Sequence, residues 1–162
     1  MPTLEHIIHK LSLPLQIPLS FLARRLFRDF LYQYHVFGDP NRLTIADTAI
    51  VNNATFNLSS GTISIGDYVS FGHNVSVITG THDIQKVGIE RQKAVPTSGR
   101  DIVIRRGAWI ASNATIIGPC TIGENSVIGA CCLVRGDVPA NTLCYLDNKV
   151  VFKSLEKNLL LS

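Results

Sequence analysis

Aliphatic or aromatic residues return at every sixth position along most of this chain. They stand at Ile45 and Val51, at Ile65, Phe71 and Val77, and again at Ile104, Ile110, Ile116, Ile122, Ile128 and Val134. Four residues after each comes a small or β-branched one: Ala49, Thr55, Val69, Val75, Thr81, Ala108, Ala114, Cys120, Ser126, Cys132 and Val138. Turn formers fill the intervals, as in IGDYVS, FGHNVS, IGENSV and IGACCL. A helical period of 3.6 does not divide six, and a hairpin meander would space its turns less evenly. Short parallel strands, one hexad per side, coiling so that anchor stacks on anchor, satisfy the spacing. Each coil then buries its anchors only against its neighbours. The fold class is all-β, a parallel solenoid.

Two irregularities interrupt the beat. From Val51 to Ile65 the step is fourteen residues, which predicts that Phe56–Gly61 (FNLSSG) bulges out of the coil. After Val77 the pattern stops, Thr81-His82-Asp83 appears, and the beat resumes only at Ile102–Ile104. About twenty polar and mixed residues pass in between.

Outside the repeat, Leu22, Leu26, Phe27, Phe30, Leu31 and Tyr34 recur at helical spacing, with Arg24, Arg25 and Arg28 largely on the other side. An amphipathic helix is expected there, closed by the turn at Gly38-Asp39-Pro40. Two uses suit such a helix: packing on the main domain or a neighbouring subunit, or lying on a membrane surface with its arginines near anionic headgroups. The chain divides into a helical segment at 1–37, the solenoid at 38–143 and a tail at 144–162. No signal-peptide cleavage pattern marks the start, and Pro14 and Pro18 break an apolar stretch too short to span a bilayer. A cytoplasmic location is expected, at the inner face of the membrane if the helix binds there.

Apolar residues make up 46 % of the chain and charged ones 17 %, which suits a packed core and excludes a disordered tail. The net charge of +3 forms no Lys/Arg stripe, so a nucleic-acid partner is not expected. Cys120, Cys131, Cys132 and Cys144 match no zinc spacing and read as small packing residues.

The stretches ISIGDYVSFGHNVSVITGTHD and IVIRRGAWIASNATIIGPCTIGENSVIGACCLVRGDVPANT resemble the hexapeptide-repeat acyltransferases, built from [LIV]-[GAED]-x-x-[STAV]-x units. Within them the similarity is to the maltose, galactoside and colanic-acid O-acetyltransferases, over residues 43–143. The resemblance implies a left-handed parallel β-helix, a homotrimer, and an active site between adjacent β-helices, over which residues 81–100 reach as an extended loop. It also implies transfer of acetyl from acetyl-CoA to a hydroxyl of a sugar, in a surface polysaccharide or its precursor. His82 matches the family's catalytic histidine, the general base that takes the proton of the acceptor hydroxyl for direct attack on the thioester. Histidine is the side chain most often suited to that work near neutral pH.

Around it, Asp83 either orients the imidazole or caps a turn, and Asn57 is a candidate acceptor contact. For the donor, the resemblance points to the backbone amides of Ser112 and Ala130 along the thioester and pantetheine arm, with Trp109 lining the channel. Arg135 lies where the nucleotide end of coenzyme A would run, either binding a phosphate or standing in solvent. The usual Gly-x-Pro closing turn, at the adenine end of that site, is replaced by Tyr145, Leu146 and Asp147. His73 reads as a surface or interface residue, and His6, His9 and His35 as lying outside the β-helix. Two alternatives stay open: N-acetylation of an amino-sugar nucleotide, and a non-catalytic β-helix scaffold. The related γ-carbonic anhydrases need three metal-binding histidines, whereas the repeat region holds only His73 and His82, so no metal is expected.

Overall fold

The computed structural model describes residues 19–23, 25, 26 and 32–147. Thirteen short strands run in order β1 (His35–Phe37), β2 (Leu43–Ile45), β3 (Thr55–Asn57), β4 (Ile63–Ile65), β5 (Ser70–Phe71), β6 (Ser76–Ile78), β7 (Ile102–Ile104), β8 (Trp109–Ile110), β9 (Thr115–Ile117), β10 (Cys120–Ile122), β11 (Val127–Ile128), β12 (Leu133–Arg135) and β13 (Leu143–Cys144). They make three parallel sheets, ordered β1-β3-β6-β9-β12, β10-β7-β4-β2 and β13-β11-β8-β5. Successive hexads visit the three sheets in turn, so each coil spends one hexad per face.

Register follows from the anchors. Ile65 pairs with Ile104, which pairs with Ile122. Phe71, Ile110 and Ile128 line up on the second face, and Val77, Ile116 and Val134 on the third. All of these are buried, seven of them fully. Fully burying one such side chain is worth about 1.5–3 kcal/mol, so the stacked rows are what holds the coil closed. At the corners the chain must enter the left-handed region. Asn74, Asn113, Asn125 and Asn141, each three residues after an inward anchor, do so with φ between 55° and 60° or close to it (52° at Asn125). Asparagine tolerates that conformation better than other residues with a Cβ.

The segment FNLSSG does not bulge. Phe56 and Leu58 are buried, and Phe56 stands between Val36 and Val77 in the core row of its sheet. The corner after Val51 is one residue short, because Ala54 N–H already donates to Val51 O at 3.1 Å. The surplus is taken up beyond Phe56, where Leu58 and Ser60 turn inward. A large apolar ring gains more from the core than from keeping strict count. The solenoid also starts earlier than the 37/38 boundary read from the sequence. His35–Phe37 pairs in parallel with β3, which puts His35 inside the β-helix rather than outside it. The apolar helical pattern running up to Tyr34 hides this three-residue strand.

Of the N-terminal helix, residues 19–23, 25, 26 and 32 are helical. Arg24, Phe27, Arg28, Phe30 and Leu31 lie outside the described residues, as do His6, His9 and the tail from 148. Phe21, Leu22 and Leu26 are exposed in the protomer. Among the described residues no helix is long and apolar enough to cross a membrane.

One polar contact ties the coil on which the loop ends to the coil before the loop. Asp101 Oδ1 accepts from Thr62 N–H at 2.7 Å and from Thr62 Oγ1 at 2.9 Å. The Thr62 backbone N–H, chiefly, holds the Asp101 carboxyl below the ordinary carboxylate range, with the Thr62 hydroxyl second. A depressed folded value means that Asp101 adds stability above the unfolded pKa, about 4, and loses it as pH falls through the folded one. Thermal melts of wild type and Asp101→Asn should therefore differ at pH 6, and the difference should shrink as pH falls below about 4. A gap that stays constant across that range would deny Asp101 this role.

Candidate active site

The loop leaves the solenoid after β6 and returns at β7, carrying one short helix, Gly88–Lys93, none of whose residues is buried. His82 sits at its exit, exposed. The imidazole Nδ1 lies 2.9 Å from the Arg91 carbonyl oxygen. A carbonyl can only accept, so Nδ1 carries the proton and Nε2 is left as the basic nitrogen.

Two clefts meet at this ring. One, about 250 Å³, is lined by Asn57, Ser59, Gly80, Thr81, His82 and Val95. The other, about 420 Å³, is lined by His82, Gly88, Arg91 and Gln92. Asn57 and His82, 25 positions apart in the sequence, thus share one wall. Asn57 Oδ1 accepts from Ser59 N–H at 3.0 Å. Gly80 is needed there, since a Cβ would come within 2.5 Å of Asn57 Oδ1. Asp83 makes a turn contact: its Oδ1 accepts from Gln85 N–H at 3.0 Å. The hydrogen bond that orients the imidazole comes instead from Arg91.

Trp109, Ser112, Ala130 and Arg135 line neither cleft. Trp109 projects from β8 beside Ser70 and Val127 and is exposed. Ser112 and Ala130 occupy the same corner in successive coils. His73 N–H donates to Ser112 Oγ at 3.1 Å, and Gly72 lets the two approach, because a Cβ there would lie 2.5 Å from Ser112 N. Ala130 has no hydroxyl to repeat that bond one coil on. Among the described residues, neither the Ser112 nor the Ala130 N–H finds an acceptor. Two backbone donors stand open along one line. Arg135 ends β12, exposed. His73 is exposed, with its ring edge-to-face against Tyr32 at 6.1 Å. Tyr145 seats over Gly129, where a Cβ would lie 3.2 Å from its own Cβ.

No cysteine lines either cleft. Cys120 and Cys132 are buried, and burial pushes the Cys120 thiol up to about 11, so it stays protonated as a packing group. Among the described residues no group of three His, Cys, Asp or Glu side chains could hold a metal ion.

Residues 101–136 match the family model of the bacterial transferase hexapeptide (six repeats). The chain is 34 % identical over 117 residues to the galactoside O-acetyltransferase of Lactococcus lactis, covering 69 % of this chain and 52 % of that protein. It is 36 % identical to the galactoside O-acetyltransferase of Escherichia coli over 56 % of this chain and 44 % of that one. A hexapeptide-repeat acetyltransferase from Vibrio cholerae, solved in complex with acetyl coenzyme A, superposes with a TM-score of 0.58 at 26 % identity, over 85 % of this chain and 79 % of that one.

The chain belongs to the hexapeptide-repeat acetyltransferase family.

It spans about half the length of the two galactoside O-acetyltransferases it matches. The loop leaves no gap in either sheet it joins: β6 lies between β3 and β9, and β7 between β4 and β10. Two residues at the site carried no signal in the sequence. Arg91 acts through its backbone carbonyl, which any residue possesses, and Ser59 falls off the six-residue beat.

Proposed function

We propose that this hexapeptide-repeat protein transfers acetyl from acetyl-CoA to a hydroxyl of a sugar, with His82 as general base. The observation that carries this reading is the imidazole itself, with Nδ1 tied to a carbonyl at 2.9 Å and the ring on the wall of a cleft with polar lining. A base held in one tautomer, next to Asn57, Ser59 and Thr81 that can hydrogen-bond a polyol, suits removal of a hydroxyl proton. As the oxygen attacks the thioester, its proton passes to Nε2, and the resulting oxyanion needs N–H donors that are not already paired. Ser112 and Ala130 offer two such donors, with Trp109 beside them on the adjoining face. The galactoside O-acetyltransferases and the acetyl-CoA complex among the relatives favour a sugar acceptor and this donor.

In this reading the acceptor is a sugar of a surface polysaccharide or its precursor, and the site is completed between protomers of a trimer. The second point has support in the protomer: the donor-side residues line neither cleft at His82, so one chain alone presents the two halves apart. Arg135 is the cation this reading assigns to a coenzyme A phosphate. Transfer of acetyl from acetyl-CoA to a galactoside that carries hydroxyls and no amine tests the proposal.

A further inference from the structure

The loop 81–100 has almost nothing buried beyond its ends, so hydrogen bonds rather than core contacts decide its shape. Arg91 stands at the centre of them. Its Nε donates to the Lys86 carbonyl at 2.6 Å and its Nη2 to the Ile84 carbonyl at 3.3 Å. Its own carbonyl receives the His82 imidazole at 2.9 Å and the Ala94 N–H at 3.2 Å. Other ties include Asp83 N–H to Ala94 O at 3.0 Å, Lys86 N–H to Asp83 O at 3.3 Å, Gln85 N–H to Asp83 Oδ1 at 3.0 Å and the helix bond from Ala94 N–H to Glu90 O at 3.0 Å. One residue thus clasps the turn after His82 with its side chain and holds the His82 ring with its backbone.

We propose that Arg91 is a positioning residue for the base: by gripping the Ile84 and Lys86 carbonyls, its guanidinium fixes the carbonyl that keeps His82 in the Nδ1–H tautomer. The kinetic part of this rests on the general-base reading above; the tautomer does not. Guanidinium is the group the geometry asks for. Two carbonyls, two residues apart, need two donors in a fixed plane, and both bonds are charge-assisted. A lysine ammonium has one compact head on a flexible stem and reaches one of them at a time. In a segment with no buried residue, losing two charge-assisted bonds lets the helix swing, because local stability in such loops is low to begin with. The Arg91 carbonyl then leaves the ring, and either nitrogen of His82 can carry the proton. When Nε2 carries it, the base is gone.

The test is nitrogen-15 NMR of labelled histidine, at a pH where the ring is neutral, on wild type, Arg91→Ala and Arg91→Lys, beside steady-state kinetics. Wild type should show His82 protonated on Nδ1. Arg91→Ala should show a mixture of tautomers, with kcat lower by about 10- to 100-fold, the range a misplaced catalytic group costs. KM for acetyl-CoA should stay within about twofold, since the change falls on the acceptor's base and not on uniform donor binding. Arg91→Lys should recover only part of the tautomer and of kcat. Thermal midpoints should not move, because the loop helix buries nothing.

A wild-type ring protonated on Nε2 would overturn the proposal. So would an Arg91→Ala protein that keeps the Nδ1–H tautomer, whatever its rate. Should His82→Ala retain full activity, the base reading falls, while the NMR comparison still decides whether Arg91 sets the ring.

Discussion

His82→Ala is expected to lower kcat for acetyl transfer by about 10²–10⁴-fold, the usual worth of a general base. The acceptor hydroxyl is a poor nucleophile unless its proton leaves as the carbon–oxygen bond forms, and His82 is the one histidine among the residues lining the two clefts. The loss should fall on kcat with little change in KM for acetyl-CoA, because the ring acts on the acceptor and the open amides of Ser112 and Ala130 remain. Stability should be untouched. His82 is exposed and its one hydrogen bond closes a surface loop, so its removal costs the fold little. The check is steady-state release of coenzyme A thiol by both proteins, with melting curves to show that each is folded. A variant within threefold of wild type would remove His82 from the chemistry.

Phe56→Ala should destabilise the protein by about 3–5 kcal/mol, the range for emptying a buried aromatic site. Phe56 is fully buried, its ring lies 6.2 Å from that of Phe71 and 5.7 Å from that of Tyr34, and of its strand neighbours Val77 is a core residue and Val36 packs half-buried against the core. A closed stack cannot collapse around the hole without dragging β1 and β6 out of register. In a solenoid, stability is a sum over coils and the contacts between them. The lesion therefore frays the N-terminal coils first, and unfolding in denaturant should broaden or split rather than only shift. Asn57 follows Phe56 directly, so the cleft beside His82 should loosen with it. Chemical denaturation followed by far-UV circular dichroism and by tyrosine fluorescence reads both effects. A cost under about 1 kcal/mol, the level of a surface change, would mean that the segment does leave the coil, as the fourteen-residue step suggested.

That step shows why the fold was mostly, not wholly, legible in the sequence. The anchors from Ile65 to Val77 and from Ile104 to Val134 fall on the beat because each coil face has one inward position, and burial selects the same residue class there every time. Corners are less constrained. One can shorten, as between Val51 and Phe56, and the next lengthen, and a count of sixes then misses a core phenylalanine. His35–Phe37 escaped for a related reason: three residues are too few to show a period beside a longer helical one.

At the candidate site, the histidine was visible in the sequence and the scaffolding around it was not. His82 stands at a break in a regular pattern, where a histidine has no packing duty. Asp83 looks like its natural partner in sequence, yet the ring turns to the Arg91 carbonyl, nine residues on, through an excursion no pattern encodes. The donor-side amides depend on which hydroxyl the next coil lacks, Ser112 Oγ being present for His73 and nothing equivalent at Ala130 for Ser112. Such differences emerge only when the coils are stacked.

The central claim, acetyl transfer from acetyl-CoA to a sugar hydroxyl, is tested most directly by following the acetyl group into product. Acetyl-CoA labelled in the acetyl carbons is incubated with the protein and either a galactoside bearing only hydroxyls or an amino sugar, and products are identified by mass spectrometry before and after mild alkali. An alkali-labile acetyl ester on the galactoside, absent with His82→Ala, is the result predicted here. Label recovered only in an alkali-stable amide on the amino sugar, or no transfer to either acceptor from a protein that calorimetry shows to bind acetyl-CoA, would contradict it.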